Sequence, residues 1–213
     1  MSGAIVIAGT DTDVGKTLVS AGLMLCLPQA FYWKPVQAGT EPMTDTEAVQ
    51  ALTDLPEERF LPEAYRLATP ASPHLAARME DTVIAPSDLA LPQINAPLIV
   101  ESAGGVMVPL TDNYLNIDQF ARWGKPVILV ARTSLGTINH SLLSIAALRA
   151  RDIPIGGILF SGEAHAENEA IIPRLAGVWS LGRLPYLESP DAARLHLAMQ
   201  AHVDIAAIEA LLA

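Results

Sequence analysis

The sequence predicts an α/β fold of the doubly wound type: a mostly parallel sheet with helices on both faces. Two observations carry that expectation. Four runs, residues 4–10 (AIVIAGT), 97–105 (PLIVESAGG), 126–133 (PVILVART) and 153–162 (IPIGGILFSG), are apolar without alternation. That is the pattern of strands covered by helices on both sides. A shorter run, 30–36 (AFYWKPV), joins them. Helix-like segments alternate with these runs, and β-α alternation is the signature of this class.

Taken in order, the first strand leads into a glycine-containing loop and a helix over 16–27. The aromatic run 30–36 is followed by a helix over 45–55. Residues 56–97 are proline-rich and hard to assign, although Pro73 is well placed to open a helix at its first position. The second and third long strands follow, then a helix over 139–150. The strand over 153–162 is followed by a helix over 167–175, and a last helix spans 203–212. There is no internal repeat and no low-complexity linker, and 213 residues suit one domain, residues 1–213.

Composition narrows the function classes. A chain of this size buries ~70% of the surface its unfolded form exposes, so it needs no disulfide staples. Its single cysteine, Cys26, lies in an apolar stretch, as expected of a core thiol in a reducing cytoplasm. The net charge of −10 argues against nucleic-acid binding, where a basic patch carries most of the affinity. No segment approaches the ~20 apolar residues of a membrane span. The opening residues MSGAIVIAGT lack the basic start of a signal peptide. A cytoplasmic protein is the expectation.

Residues 9–17 read GTDTDVGKT, which has the outline of a phosphate-binding loop with one residue too many. The common form places four residues between its glycines; here five separate Gly9 from Gly15. The physics does not demand four. It requires backbone N–H groups curled around an anion at the start of a helix. A strand-like run precedes this loop and a helix-like one follows, so the context is right. Lys16 would then reach the β- and γ-phosphates, and the Thr17 hydroxyl would face Mg²⁺. The plainer alternative is a helix capped by Asp13.

Three further residues fit a nucleotide site. Glu101 ends an apolar strand beside a small-residue turn, and ligands of doubly wound sheets bind beyond the carboxyl ends of strands. A carboxylate there is placed to hold Mg²⁺. Asp45 begins a helix, where a capping role would be ordinary. Lys34 stands at a strand end in a chain with only three lysines. It is either an edge lysine or a cation aimed at a phosphate in transfer.

The motifs together resemble the dethiobiotin synthetase family. The long loop GTDTDVGKT, KPVQAG at 34–39, SPH at 72–74, ESAGG at 101–105, LGTINH at 135–140 and GRLPYL at 182–187 occur in the family's order. The resemblance implies a reaction in which 7,8-diaminopelargonate, CO₂ and ATP give a cyclic urea, ADP and phosphate. It implies Lys34, Lys16 and Thr12 as catalytic groups and Thr17, Asp45 and Glu101 as Mg²⁺ ligands. The implied nucleotide-binding set adds Asp13, Val14, Gly15, Leu18, Gly104, Ser161 and the Pro185–Tyr186–Leu187 segment. It further implies a homodimer whose substrate carboxylate sits at a helix start of the partner subunit, here the amides around Thr137–His140. His74 and His140 are candidate substrate contacts or structural histidines.

Two positions depart from the family pattern. Ala38 stands where a substrate-contacting serine is usual, and Ser161 where an adenine-pairing asparagine is usual. A hydroxyl cannot supply an amide's paired donor and acceptor, so relaxed base selectivity is expected. Two rival P-loop classes are disfavoured. A cobyrinate-synthase-like ligase needs a glutamine-hydrolysing domain that this chain is too short to hold. A partitioning-type switch ATPase carries an extra early loop lysine, where this chain has Thr10 and Asp11.

Overall fold

The computed structural model describes residues 3–213; Met1 and Ser2, part of the stretch inspected for a targeting signal, lie outside it. The chain opens with strand β1 (Ala4–Gly9) and helix α1 (Lys16–Cys26). Strand β2 (Phe31–Trp33) follows, and the aromatic run then breaks. Pro35 has no N–H to give a ladder, and the chain restarts as β3 (Val36–Ala38) in a separate two-stranded sheet. Helix α2 (Asp45–Thr53), strands β4 (Phe60–Leu61) and β5 (Tyr65–Leu67) and helix α3 (Pro73–Met79) complete the first half. Pro73 does open a helix.

The second half begins with β6 (Leu98–Gly105), the hairpin β7 (Pro109–Thr111) and β8 (Tyr114–Leu115), and helix α4 (Asn116–Trp123). Then come β9 (Val127–Arg132), α5 (Thr137–Arg149), β10 (Ile155–Ser161) and α6 (Ala166–Ala176). Strand β11 (Ser180–Leu184) and helices α7 (Ala192–His202) and α8 (Ile205–Ala210) close the chain.

The main sheet has seven strands in the order β11-β10-β9-β1-β6-β2-β4, and every pairing in it is parallel. Strand β1 shows why the sequence folds this way. Its alternate residues serve two cores. Ile5 and Ile7 meet Val19 and Leu23 of α1 and Leu195 and Met199 of α7 on one face. Ala4, Val6 and Ala8 meet Ile117 and Phe120 of α4 and Ile145 and Leu148 of α5 on the other. Each such Ile, Leu or Phe contributes ~1.5–3 kcal/mol of transfer free energy when fully buried. A third, smaller cluster joins Val36, Leu67, Ala76, Leu89 and Leu110 into a side lobe.

Several elements were not anticipated, among them helix α4, the short strands β4, β5, β7 and β8, strand β11 and helix α7. Strand β11 lies in WSLGRL, too short and polar to show as an apolar run. Helix α7 mixes Arg194, His196, Gln200 and His202 among its apolar positions and has no clear periodicity. The final helix is shorter than 203–212 because Asp204 caps it, accepting from the Ala207 amide at 3.0 Å. Helix α5 starts earlier than 139, because Gly136 at φ 94° supplies its N-cap.

Candidate active site

The loop between β1 and α1 lies at the carboxyl edge of the sheet, where β1 and β6 pair from Ala4↔Leu98 to Gly9↔Gly105. Gly15 is the N-cap of α1, at φ 95°, and no side chain caps the helix. Asp13, at φ 55°, is therefore no cap, and the first amides of α1 are left to an anion. A Cβ on Gly15 would lie 2.5 Å from Ser161 Oγ, so glycine is required there by space as well as by angle. Val14 is buried in the core, so only its backbone is available to a ligand. Lys16 Nζ donates to the Asp11 carbonyl within the loop at 3.2 Å. Burial, reinforced by the charge of Lys34, lowers the Lys16 pKa. A bound anion would oppose both effects.

Beside the loop, four residues from four elements converge. Thr17 Oγ1 donates to Asp45 Oδ1 at 2.7 Å and lies 3.2 Å from Glu101 Oε1. Lys34 Nζ lies 2.7 Å from Asp45 Oδ2 and 3.1 Å from Glu101 Oε1, and donates to the Ser102 carbonyl at 3.2 Å. Local structure frees each group for this role. Thr44, not Asp45, caps α2, in a reciprocal box with Glu47, leaving the Asp45 carboxylate to the site. Gln37 Oε1 accepts from the Asp45 amide at 3.1 Å and fixes the helix start. The break after β2 turns Lys34 out of the ladder and over the strand ends.

The electrostatics are those of a buried triangle. Lys34 and Glu101 are 3% and 0% exposed. Burial alone would lower the Lys34 pKa, but Glu101 and Asp45 outweigh it and hold the ammonium charged. Burial would likewise raise the Asp45 pKa, and Lys34 reverses that into a net lowering. Glu101 accepts from three groups, Ser20, Tyr32 and Lys34, and its Oε1 also lies 3.2 Å from Thr17 Oγ1. The oxygens of Thr17, Asp45 and Glu101 are hard donors gathered within hydrogen-bonding reach, which fits a hard divalent cation. Among the described residues no cluster of three His, Cys, Asp or Glu groups forms a metal site. A cation here would complete its shell from water and a bound phosphate, as Mg²⁺ characteristically does.

These groups open onto a cavity of about 720 Å³, within the range of roughly 300–1,000 Å³ usual for small-molecule sites. Its near wall is the loop, with Thr12, Asp13, Gly15, Lys16, Thr17 and Leu18. Lys34, Asp45, Glu101 and Gly104 line its base, and Ala38 with Pro70–Pro73 the far wall. Thr12 Oγ1 lies 3.5 Å from where a Gly104 side chain would begin, so the loop leans on the β6 turn. Asn116 Nδ2 fastens that turn, donating to the carbonyls of Ala103 at 2.6 Å and Gly105 at 2.9 Å.

The remaining expected residues lie elsewhere. Ser161 ends β10, against Gly15 and in register with Arg132. Pro185, Tyr186 and Leu187 follow β11 and do not line the cavity; the Tyr186 side chain is exposed. His74 Nδ1 is 3.0 Å from the hydroxyl of Ser72, a cavity residue, and His140 lies in the first turn of α5. Sequence reasoning did not single out Ser20, Tyr32, Gln37, Ser72 or Asn116. The signal for Ser20 was a polar residue on the buried face of α1, one turn beyond Lys16. For Tyr32 no sequence signal distinguishes a core aromatic from one with a bonded hydroxyl.

A family model described as an AAA domain matches residues 3–194. An ATP-dependent dethiobiotin synthetase of Rhodopseudomonas palustris (strain BisA53) is 59% identical over 189 residues, 89% of this chain and 88% of the relative. One from Brucella anthropi is 52% identical over 205 residues, covering 96% of both chains. One from a Bradyrhizobium species is 55% identical over 202 residues, covering 94% and 96%. Among solved structures, the septum site-determining protein MinD of Pyrococcus horikoshii, complexed with Mg-ADP, superposes with a TM-score of 0.57 at 13% identity over 94% of this chain and 96% of that one. The cell division ATPase MinD of Pyrococcus furiosus gives 0.56 at 14% identity, covering 99% and 100%. At such identities the likeness shows the fold alone. The near full-length identity to the synthetases places this protein in the ATP-dependent dethiobiotin synthetase family.

Proposed function

We propose that this chain closes a ureido ring on 7,8-diaminopelargonate by phosphoryl activation of a carbamate. The observation that carries the mechanism is Lys34: a buried, charged lysine held between Asp45 and Glu101, at the floor of a cavity bounded by the loop. One substrate amine takes up CO₂ as a carbamate with loss of a proton. A carbamate oxygen attacks the γ-phosphorus of ATP, the bond to the β-phosphate bridging oxygen breaks, and ADP leaves. The second amine, in its neutral form, attacks the carbonyl of the resulting mixed anhydride, the C–O bond to phosphate breaks, and the cyclic urea and phosphate are released together with one proton from that amine.

Each residue has a part in this. The loop amides from Asp13 to Leu18 and Lys16 hold the β- and γ-phosphates. Lys34 sits between carbamate and γ-phosphate and stabilises negative charge as it moves from one to the other. Thr12 donates to the same oxygens. Thr17, Asp45 and Glu101 would hold Mg²⁺, which when bound supplies charge neutralisation at the phosphates. Gly104 lets backbone approach the reacting groups. Ser161 and the Pro185–Leu187 segment border the base, with relaxed selectivity expected from Ser161. His140 and the amides at the start of α5 receive the substrate carboxylate of a partner subunit. Leu135, which is 99% exposed, and Leu143 give that end of α5 an uncovered apolar surface, in support of a homodimer. Among the described residues no helix is long and apolar enough to cross a membrane, and we take the enzyme to act in the cytoplasm.

The test is phosphate release with MgATP, bicarbonate and the diamine, omitting each in turn, with the urea identified by mass. Release that requires the diamine, with urea formed, supports the reaction. Release without the diamine and without urea overturns it.

A further inference from the structure

We infer that Ser20 and Tyr32 are positioning residues that close one oxygen of Glu101 and leave the other as its only face toward the metal and the phosphates. The inference rests on the proposed role of Glu101 as a metal ligand. Ser20 Oγ donates to Glu101 Oε2 at 2.7 Å, and the Tyr32 hydroxyl donates to the same oxygen at 3.1 Å. A carboxylate oxygen has two in-plane lone-pair sites, so Oε2 is saturated. All three side chains are fully buried, which keeps water from taking either place.

Oε1 is different. Its neighbours are Lys34 Nζ at 3.1 Å and Thr17 Oγ1 at 3.2 Å. The Thr17 hydroxyl has one proton, and the 2.7 Å contact assigns it to Asp45. One site of Oε1 is therefore not filled by a strong donor. The carboxylate cannot rotate to present Oε2 without breaking two buried hydrogen bonds. Glu101 thus meets a cation through one fixed oxygen, and the groups that fix it stand on α1 and β2, the elements that also bring Thr17 and Lys34. Tyr32 is itself held by its ring against Phe60, at 6.2 Å between centroids. Partners of this kind, behind a metal ligand, typically affect metal affinity by about 10–100-fold.

The experiment measures Mn²⁺ affinity directly, by electron paramagnetic resonance, with the β,γ-imido analogue of ATP bound to the full-length protein. Variants are Tyr32→Phe, Ser20→Ala and Glu101→Gln, each with its melting temperature. The expected result is about tenfold weaker Mn²⁺ binding in Tyr32→Phe and in Ser20→Ala, and a larger loss in Glu101→Gln. In turnover assays, the Mg²⁺ concentration for half-maximal rate should rise while the rate at saturating Mg²⁺ is largely kept. A lowered melting temperature with unchanged Mn²⁺ affinity in both of the first two variants, while Glu101→Gln binds weakly, would overturn the inference and leave the role of Glu101 intact. Unchanged affinity in Glu101→Gln would overturn that role, and this inference with it. Should Tyr32→Phe fail to fold, Ser20→Ala carries the same test.

Discussion

Replacing Lys34 with alanine separates the two tasks proposed for it, holding the site together and stabilising charge in transfer. The ammonium contacts Asp45 at 2.7 Å, Glu101 at 3.1 Å and the Ser102 carbonyl at 3.2 Å, with almost no exposure. Removing one partner of a buried ion pair costs ~3–5 kcal/mol, because the other charges stay buried without it. At ~2–4 °C per kcal/mol for a chain of this size, the melting temperature should fall by roughly 10 °C. Turnover should fall on the order of 10²-fold or more, as for other fixed donors lost from a charge-stabilising site. Nucleotide binding should persist, because Lys16 and the loop amides are untouched and the two carboxylates are released to a cation. The assay pairs phosphate release and urea formation with a direct titration of MgATP at a temperature where the variant is folded. Near-normal turnover would refute the reasoning, since Lys34 would then be a structural counter-ion only. Loss of nucleotide binding equal to the loss of turnover would refute it differently, placing Lys34 in uniform binding.

Three further outcomes follow from the geometry. Because Asp45 is held below its ordinary pKa, mainly by Lys34 against the effect of burial, its contribution to stability is present above ~3.9 and lost as pH falls through the lower folded value. Lys34, raised by Glu101 and Asp45 against the lowering effect of burial, contributes below ~10.4 and loses that contribution as pH rises through its folded value; melting curves against pH should show both edges, with the acid edge shrinking in Lys34→Ala, where burial raises the Asp45 pKa without the opposing ammonium. Gly15→Ala should abolish nucleotide binding, since its Cβ would meet Ser161 Oγ at 2.5 Å in a left-handed conformation; retained binding by titration would count against the loop assignment. Wild-type protein should accept several nucleoside triphosphates at comparable rates, and Ser161→Asn should favour ATP; strict ATP preference in the wild type would remove Ser161 from base selection.

Much of this was legible before the fold. The long strands were, because buried parallel strands appear as unbroken apolar runs. The loop was legible because its chemistry lies in consecutive residues. Asp45 shows the limit. From sequence, an acidic residue at a helix start looks like a cap, and only the reciprocal box of Thr44 and Glu47 shows the carboxylate to be free. Ser20 and Tyr32 were invisible as site residues for a similar reason. Their hydroxyls meet Glu101 across separations of 81 and 69 residues, and no local pattern encodes such a meeting. Strand β11 was missed because its apolar positions are few, and helix α7 because polar residues interrupt its apolar ones without a clear period.

The additional loop residue connects these levels. In a shorter loop the chain would pass directly from the first glycine to the anion-binding turn. Here Asp13 at φ 55° and Gly15 at φ 95° make room for one more residue before the helix. Thr12 is thereby carried to within 3.5 Å of the position a Gly104 side chain would take. The loop thus touches the same β6 segment that carries Glu101, and Asn116 holds that segment's carbonyls from behind. One wall of the cavity is therefore continuous from the uncapped amides at the start of α1 to the turn after Glu101. The MinD proteins share the fold at 13–14% identity, so the fold does not by itself determine what attacks the phosphate. In the reaction proposed for this chain, that follows from what lines the same cavity as the loop: a buried lysine fixed by two carboxylates, in a space large enough for a substrate.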